Sequence, residues 1–154
     1  MKYLMIAMLF TFGFFSTSCA QKQVAPAAVQ SAFKAKFPSV QKAKWEEEHE
    51  GEWEAEFKMG GKELSAVFDN DGAWVETETE IKAADLPEAV QSAVSAQFSD
   101  YEIEEAAMVE TPGQAMAYEV ELEKEGEATI EALFSADGTL IRQMSETEED
   151  DDND

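Results

Sequence analysis

From residue 24 onward the chain switches between two hydrophobic spacings, and the switches fall near prolines and glycines. Val29, Ala32, Phe33 and Phe37 stand at i, i+3, i+4 and i+8, a single apolar stripe that predicts a helix over 24–37. Pro26 suits the first turn of that helix, and Pro38 forbids its continuation. The period then falls to two. Trp45 lies in an alternating run that Gly51 breaks, and Trp53, Ala55, Phe57 and Met59 alternate with Glu52, Glu54, Glu56 and Lys58, which predicts a strand with one dry and one wet face. Gly60-Gly61 is a hairpin signal. Leu64, Ala66 and Phe68 resume the strand spacing, Asp69-Asn70-Asp71-Gly72 turns the chain again, and Trp74 to Ile81 supplies a fourth strand.

The same order then returns. Ala28 to Ala32 reads Ala-Val-Gln-Ser-Ala, and so does Ala89 to Ala93, 61 positions later. Val90, Ala93, Val94 and Phe98 reproduce the apolar stripe at that offset, behind Pro87 in the first turn and an Asp85/Glu88 pattern of the capping-box type. Tyr118, Val120 and Leu122 answer Trp53, Ala55 and Phe57 at an offset of 65, and Ile130, Ala132, Phe134 and Gly138 answer Leu64, Ala66, Phe68 and Gly72 at 66. The added residues fall around Pro112-Gly113 and Gly126, in turns that tolerate insertion. The pattern predicts an α+β fold made of a tandem repeat, each copy a helix plus a four-stranded antiparallel sheet, with the helices on one face of the sheet or sheets. The expected divisions are a signal peptide over 1–20, a first copy over 21–82, a second over 83–145 and a disordered acidic tail over 146–154. Copies of about 60 residues have marginal cores alone, so they are expected to pack together. Whether they share one continuous sheet stays open.

Charge and composition narrow the function. With 34 Asp and Glu against 11 Lys and Arg in 154 residues, the net charge is −23, which repels nucleic-acid phosphate and anionic membrane and excludes nucleic-acid binding. Ten Phe, three Trp and three Tyr are too many for a wholly disordered chain. Lys2, the apolar run Tyr3 to Phe15 and the small residues Ser16 to Ser18 read as a secretory signal; a run of about 13 residues is too short to span a bilayer. Cys19, the single cysteine, is open to two fates: acylation as in a lipoprotein, or removal by cleavage after Ala20. Either one exports the chain to the periplasm or cell envelope and leaves no disulfide.

The helix with its Ala-Val-Gln-Ser-Ala start, the Phe-x-x-Asp-Gly turns at Phe68–Gly72 and Phe134–Gly138, the alternating strands and the signal segment together resemble the PepSY-like group of exported bacterial proteins, similar to beta-lactamase inhibitory proteins. The resemblance spans Ala25 to about Ser145. It implies tandem helix-plus-four-strand units and, by analogy, binding or inhibition of another protein, with no catalytic residues.

The candidate sites follow from the same pattern. Asp69-Asn70-Asp71-Gly72 reads as a hairpin turn; a calcium loop would need Glu78 as a bidentate ligand, yet Glu78 falls in a predicted strand and the other copy reads Ser135-Ala136-Asp137-Gly138. His49, the single histidine, has no cysteine or second histidine to share a metal and reads as a solvated edge residue. No serine sits at a strand-to-helix elbow, and carboxylates are too abundant for any pair to stand out, so neither catalytic residues nor cofactors nor a metal are expected. Glu52, Glu54 and Glu56, with Glu119, Glu121 and Glu123, form outward rows balanced by Lys42, Lys44, Lys58 and Lys62. On that outward parity stand Val67 and Trp74, answered by Leu133 and Leu140. Two readings stay open for them: a protein-binding patch, or a slip of face through a bulge that makes Trp74 core. The expected function is an exported, non-enzymatic protein-binding module, inhibitory by analogy, whose partner is an envelope or secreted protein with a basic surface; membrane contact would come only through a lipid on Cys19. The alternative is a periplasmic binder of cations such as calcium, or of a small ligand, using surface carboxylates.

Overall fold

Two prolines set where the helices begin. In the computed structural model, described here for residues 24–145, Pro26 and Pro87 take extended backbone angles (ψ 152° and 142°) immediately before α1 (Ala27–Lys36) and α2 (Glu88–Gln97). Each helix ends one residue before the last position of its apolar stripe, and Phe37 and Phe98 cap the C-terminal ends, with their N–H groups bonded to Phe33 O and Val94 O. The capping box expected from Asp85 and Glu88 does not form: Asp85 closes a short 3-10 turn (Ala83–Asp85), and α2 has no side-chain N-cap. Gln30 and Gln91 instead turn back onto the preceding carbonyls, Nε2 donating to Ala25 O and Leu86 O at 2.8 Å each.

The strands are β1 (Lys44–His49), β2 (Glu52–Met59), β3 (Lys62–Asp69), β4 (Trp74–Glu80), β5 (Glu102–Glu110), β6 (Ala117–Glu123), β7 (Ile130–Ser135) and β8 (Leu140–Ser145). They form one eight-stranded antiparallel sheet in the order β1 to β8. This corrects the expected tandem of helix-plus-four-stranded sheets: Thr77–Glu80 of β4 pair with Glu110–Ala107 of β5, so β4 and β5 do not end separate sheets. Two four-stranded sheets would each expose unpaired N–H and C=O groups at an edge that this pairing satisfies. With only two α-helices among the described residues, the fold is mostly sheet.

Contacts divide the chain into two compact units that meet between Glu76 and Thr77. In the first, Val29 and Phe33 of α1 and the capping Phe37 pack on Trp53, Ala55 and Phe57 of β2 and Leu64, Ala66 and Phe68 of β3. The register places those strand residues directly opposite one another, Trp53 with Phe68, Ala55 with Ala66 and Phe57 with Leu64. Phe33 meets Trp45, Phe57 and Phe68 edge-to-face, with centroids 5.1–6.3 Å apart. In the second unit Val90 and Val94 of α2 and the capping Phe98 pack on Val120, Leu122, Ile130, Ala132 and Phe134.

Candidate functional site

The four apolar residues expected on the outward face do not share one. Val67 pairs across the ladder with Glu54, on the pleat opposite the α1 contacts, and is fully buried. Trp74 packs against the α1 cluster, with Lys36 Nζ lying 3.2 Å from its ring centroid. In the second unit Leu133 pairs with Glu119 and Arg142 on the pleat opposite α2 and is half-buried, while Leu140 pairs with Phe134 and packs against the α2 cluster. The cause is visible between β7 and β8, where the register shifts between Leu133 and Phe134. One extra residue reverses the inward and outward parity of everything beyond it.

The repeated sequence words meet in space. Gly72 and Gly138 have φ of +86° and +84°, and a Cβ on either would lie 2.9 Å from Ala28 O and 2.5 Å from Ala89 O. The Asp-Gly turns therefore abut the first turn of their helix closely enough to require glycine. Asp69 Oδ1 accepts hydrogen bonds from the Asp71 and Ala73 amides at 3.0 and 2.8 Å, so this carboxylate holds a turn. Asn70 Oδ1 accepts from Trp53 Nε1 at 2.9 Å, which ties the turn to the core. His49 ends β1 opposite Glu52, at a register irregularity.

The carboxylate rows differ between the units. On the face of β1–β3 away from α1, Glu46 lies directly opposite Glu54, and Lys44 opposite Glu56. Lys44 Nζ is 3.1 Å from Glu46 Oε2 and 3.2 Å from Glu56 Oε2, but its side chain is 65% exposed. Glu54, expected in solvent, is 3% exposed. Burial, reinforced by the charge of Glu56 and opposed by a hydrogen bond from Ser65, pushes its carboxyl up to about 7. Its Oε1 has no hydrogen-bond partner among the described residues. One carboxylate oxygen from each of Glu46, Glu54 and Glu56 lies within 4.8 Å of the others, a spacing that suits a shared cation.

The position of Glu54 is answered, at the offset of 65, by Glu119. There Arg142 Nη2 donates to Glu119 Oε2 at 3.3 Å across the intervening Leu133, and the pair is 30% and 12% exposed. Burial raises the Glu119 carboxyl and Arg142 pulls it back. At the offset of 66, the position of Arg142 is held in the first unit by Glu76, which is buried. This reversal of sign was present in the sequence as an acid aligned with an arginine between otherwise matching strands. It carries meaning only once the register shows both positions flanking one residue.

The family model described as "Putative beta-lactamase-inhibitor-like, PepSY-like" matches residues 51–142. Among solved structures, a DUF2874 family protein from Bacteroides uniformis is 27% identical, with a TM-score of 0.71 over 79% of this chain and 90% of its own. A protein from Bacteroides eggerthii described as a putative periplasmic protein is 26% identical, with a TM-score of 0.71 over 80% and 90%. A BLIP-like protein from Bacteroides fragilis is 26% identical, with a TM-score of 0.67 over 84% and 92%. No curated protein matches the chain. No helix among the described residues is long and apolar enough to cross a membrane. Residues 1–23 and 146–154, which include the expected signal peptide, Cys19 and the acidic tail, lie outside the described residues.

Proposed function

The chain belongs to this PepSY-like, beta-lactamase-inhibitor-like family, and from that premise we propose that it is an exported, non-enzymatic module of the bacterial envelope that binds another protein. The observation that carries the reading is the sheet face of residues 77–145 away from α2. There Leu133 stands half-buried beside the Glu119–Arg142 pair, and Glu121 lies two residues farther along β6. An apolar residue inside a charged surround is the anatomy of an interface core with a polar rim. Of the four apolar residues expected from sequence, Leu133 combines partial exposure with this face, and it is the anchor of the proposal. Val67 lies beneath the surface, and Trp74 and Leu140 chiefly support their helices. The net charge of −23 selects a partner with a basic surface and speeds its approach.

Photo-crosslinking in cells tests this reading. A crosslinker at position 133 should capture one envelope protein, with the yield falling as salt rises, while a crosslinker at the exposed Lys34 of α1 should not. Equal labelling from both positions, or none from 133, would remove the proposal. The mass of the cellular protein reports export independently: loss of the first 18 or 20 residues is expected, with added lipid mass in the first case.

A further inference from the structure

Three carboxylates gather on β1 and β2 with one of them left over. We propose that Glu46, Glu54 and Glu56 form a binding site for a divalent, oxygen-liganded cation of the calcium class. The geometry fits such an ion: calcium–oxygen distances of about 2.3–2.6 Å place two ligands of one ion at most roughly 5 Å apart, and these three oxygens lie within 4.8 Å of one another. Glu46 and Glu54 face each other across the ladder, and Glu56 is the next residue on the same pleat. Like charges so placed repel, and the single Lys44 ammonium that bridges Glu46 and Glu56 leaves the trio short of positive charge.

The second observation is the buried carboxylate oxygen. Glu54 gives one oxygen to this cluster, and while Ser65 hydrogen-bonds its carboxylate, its Oε1 is shielded from water and lacks a hydrogen-bond partner among the described residues. A buried acceptor of that kind is costly unless something positive or a donor meets it. The second unit shows what the position calls for, because there the equivalent carboxylate is met by Arg142. In the first unit the position of that arginine is held by Glu76, and Lys44 is already paired with Glu46 and Glu56, so a further positive charge would come from outside the chain. Glu54 is set too deep for the two-pronged approach of a partner's guanidinium, whereas a bare ion can enter past the exposed Lys44. The inference concerns the first unit alone and does not rest on the docking face of the second.

The test is calorimetric titration of calcium chloride into the full chain at pH 8, after chelator treatment and in enough sodium chloride to screen diffuse attraction. One saturable site and a raised melting temperature are expected. Glu54→Gln should weaken binding about tenfold or more, as should Glu56→Gln, because affinity follows the number of charged ligands. Lys44→Gln, which removes the competing ammonium, should tighten it. Glu119→Gln should leave the isotherm unchanged, and circular dichroism of each variant checks folding. A weak, unsaturable isotherm, or one that Glu54→Gln and Glu56→Gln leave unaltered while Glu119→Gln shifts it equally, would overturn the site and leave only screening of an acidic surface.

Discussion

The two units solve the same packing problem with different materials. In the first, Phe33, Phe37, Phe57 and Phe68 with Trp45 and Trp53 make an aromatic core; at the equivalent positions the second places Val94, Phe98, Leu122 and Phe134 with Ala106 and Tyr118. On the opposite pleat the contrast is one of charge, Glu54 beside other carboxylates against Glu119 joined to Arg142. Core positions tolerate exchange among apolar shapes as long as volume is conserved. A buried charge has no such tolerance, since its neighbour decides whether it is held or strained. The units therefore diverge on the pleat that faces away from the helices. There the second neutralises its sheet internally, and the first keeps a carboxylate in need of a cation.

The core contrast has the largest expected consequence. Phe33→Ala should cost about 3–5 kcal/mol, because a large ring is lost from the centre of an edge-to-face cluster. Val94→Ala at the equivalent place should cost about 2 kcal/mol. Denaturant unfolding measures both, and equal losses would mean that the two cores are energetically alike. Next come the turn glycines. Gly138→Ala should destabilise by about 2–4 kcal/mol and Gly72→Ala by somewhat less, since each combines a positive φ with a clash and the approach to the helix carbonyl is closer at Gly138. The reverse order would show that the turn at 138 relaxes more easily.

The buried carboxylate then sets a pH dependence. Glu54 is pushed up to about 7 in the folded chain, from an ordinary value near 4.5. Below about 4.5 it is protonated whether the chain is folded or not and contributes no penalty. As pH rises to about 7 the unfolded chain releases this proton before the folded one does, so stability falls by on the order of 2–3 kcal/mol and stays lower above that range. Comparing metal-free wild type with Glu54→Gln between pH 4 and 8 cancels the other carboxylates. A difference that does not grow with pH would contradict the assignment. The smallest effect is a transplant. Glu76→Arg should supply the first unit with the counterpart of Arg142, bring stability at pH 8 up by about 1 kcal/mol and abolish calcium binding. Retained binding would separate Glu76 from the site.

Periodicity and repetition made much of this readable beforehand. The helices and strands announced themselves through Val29/Phe33, Trp53/Ala55/Phe57 and their later counterparts, because one apolar face per element is enough to fix both period and core. The paired words at Ala28 and Asp71-Gly72 were legible as repeats, but their reason was not: the glycine and the helix carbonyl touch only in three dimensions. Sheet continuity stayed open in the sequence because the pairing of β4 with β5 is made by backbone groups, which carry no side-chain signature. The face of Leu140 stayed open between two readings because one shifted register step reverses parity without changing composition. Glu54 was expected in solvent because an acid at an alternating position ordinarily faces water, and its burial depends on neighbours that strand spacing alone does not specify.

The most direct measurement is the sign of two matched substitutions. In chelator at pH 8, Glu54→Gln removes a buried charge whose Oε1 lacks a hydrogen-bond partner among the described residues, and Glu119→Gln removes one that Arg142 holds. The first should raise the melting temperature and the second lower it, each by several degrees, since about 1 kcal/mol corresponds to roughly 4 °C in a domain of this size. If both variants melt lower than the wild type, Glu54 is already satisfied within the chain and the contrast between the two units fails.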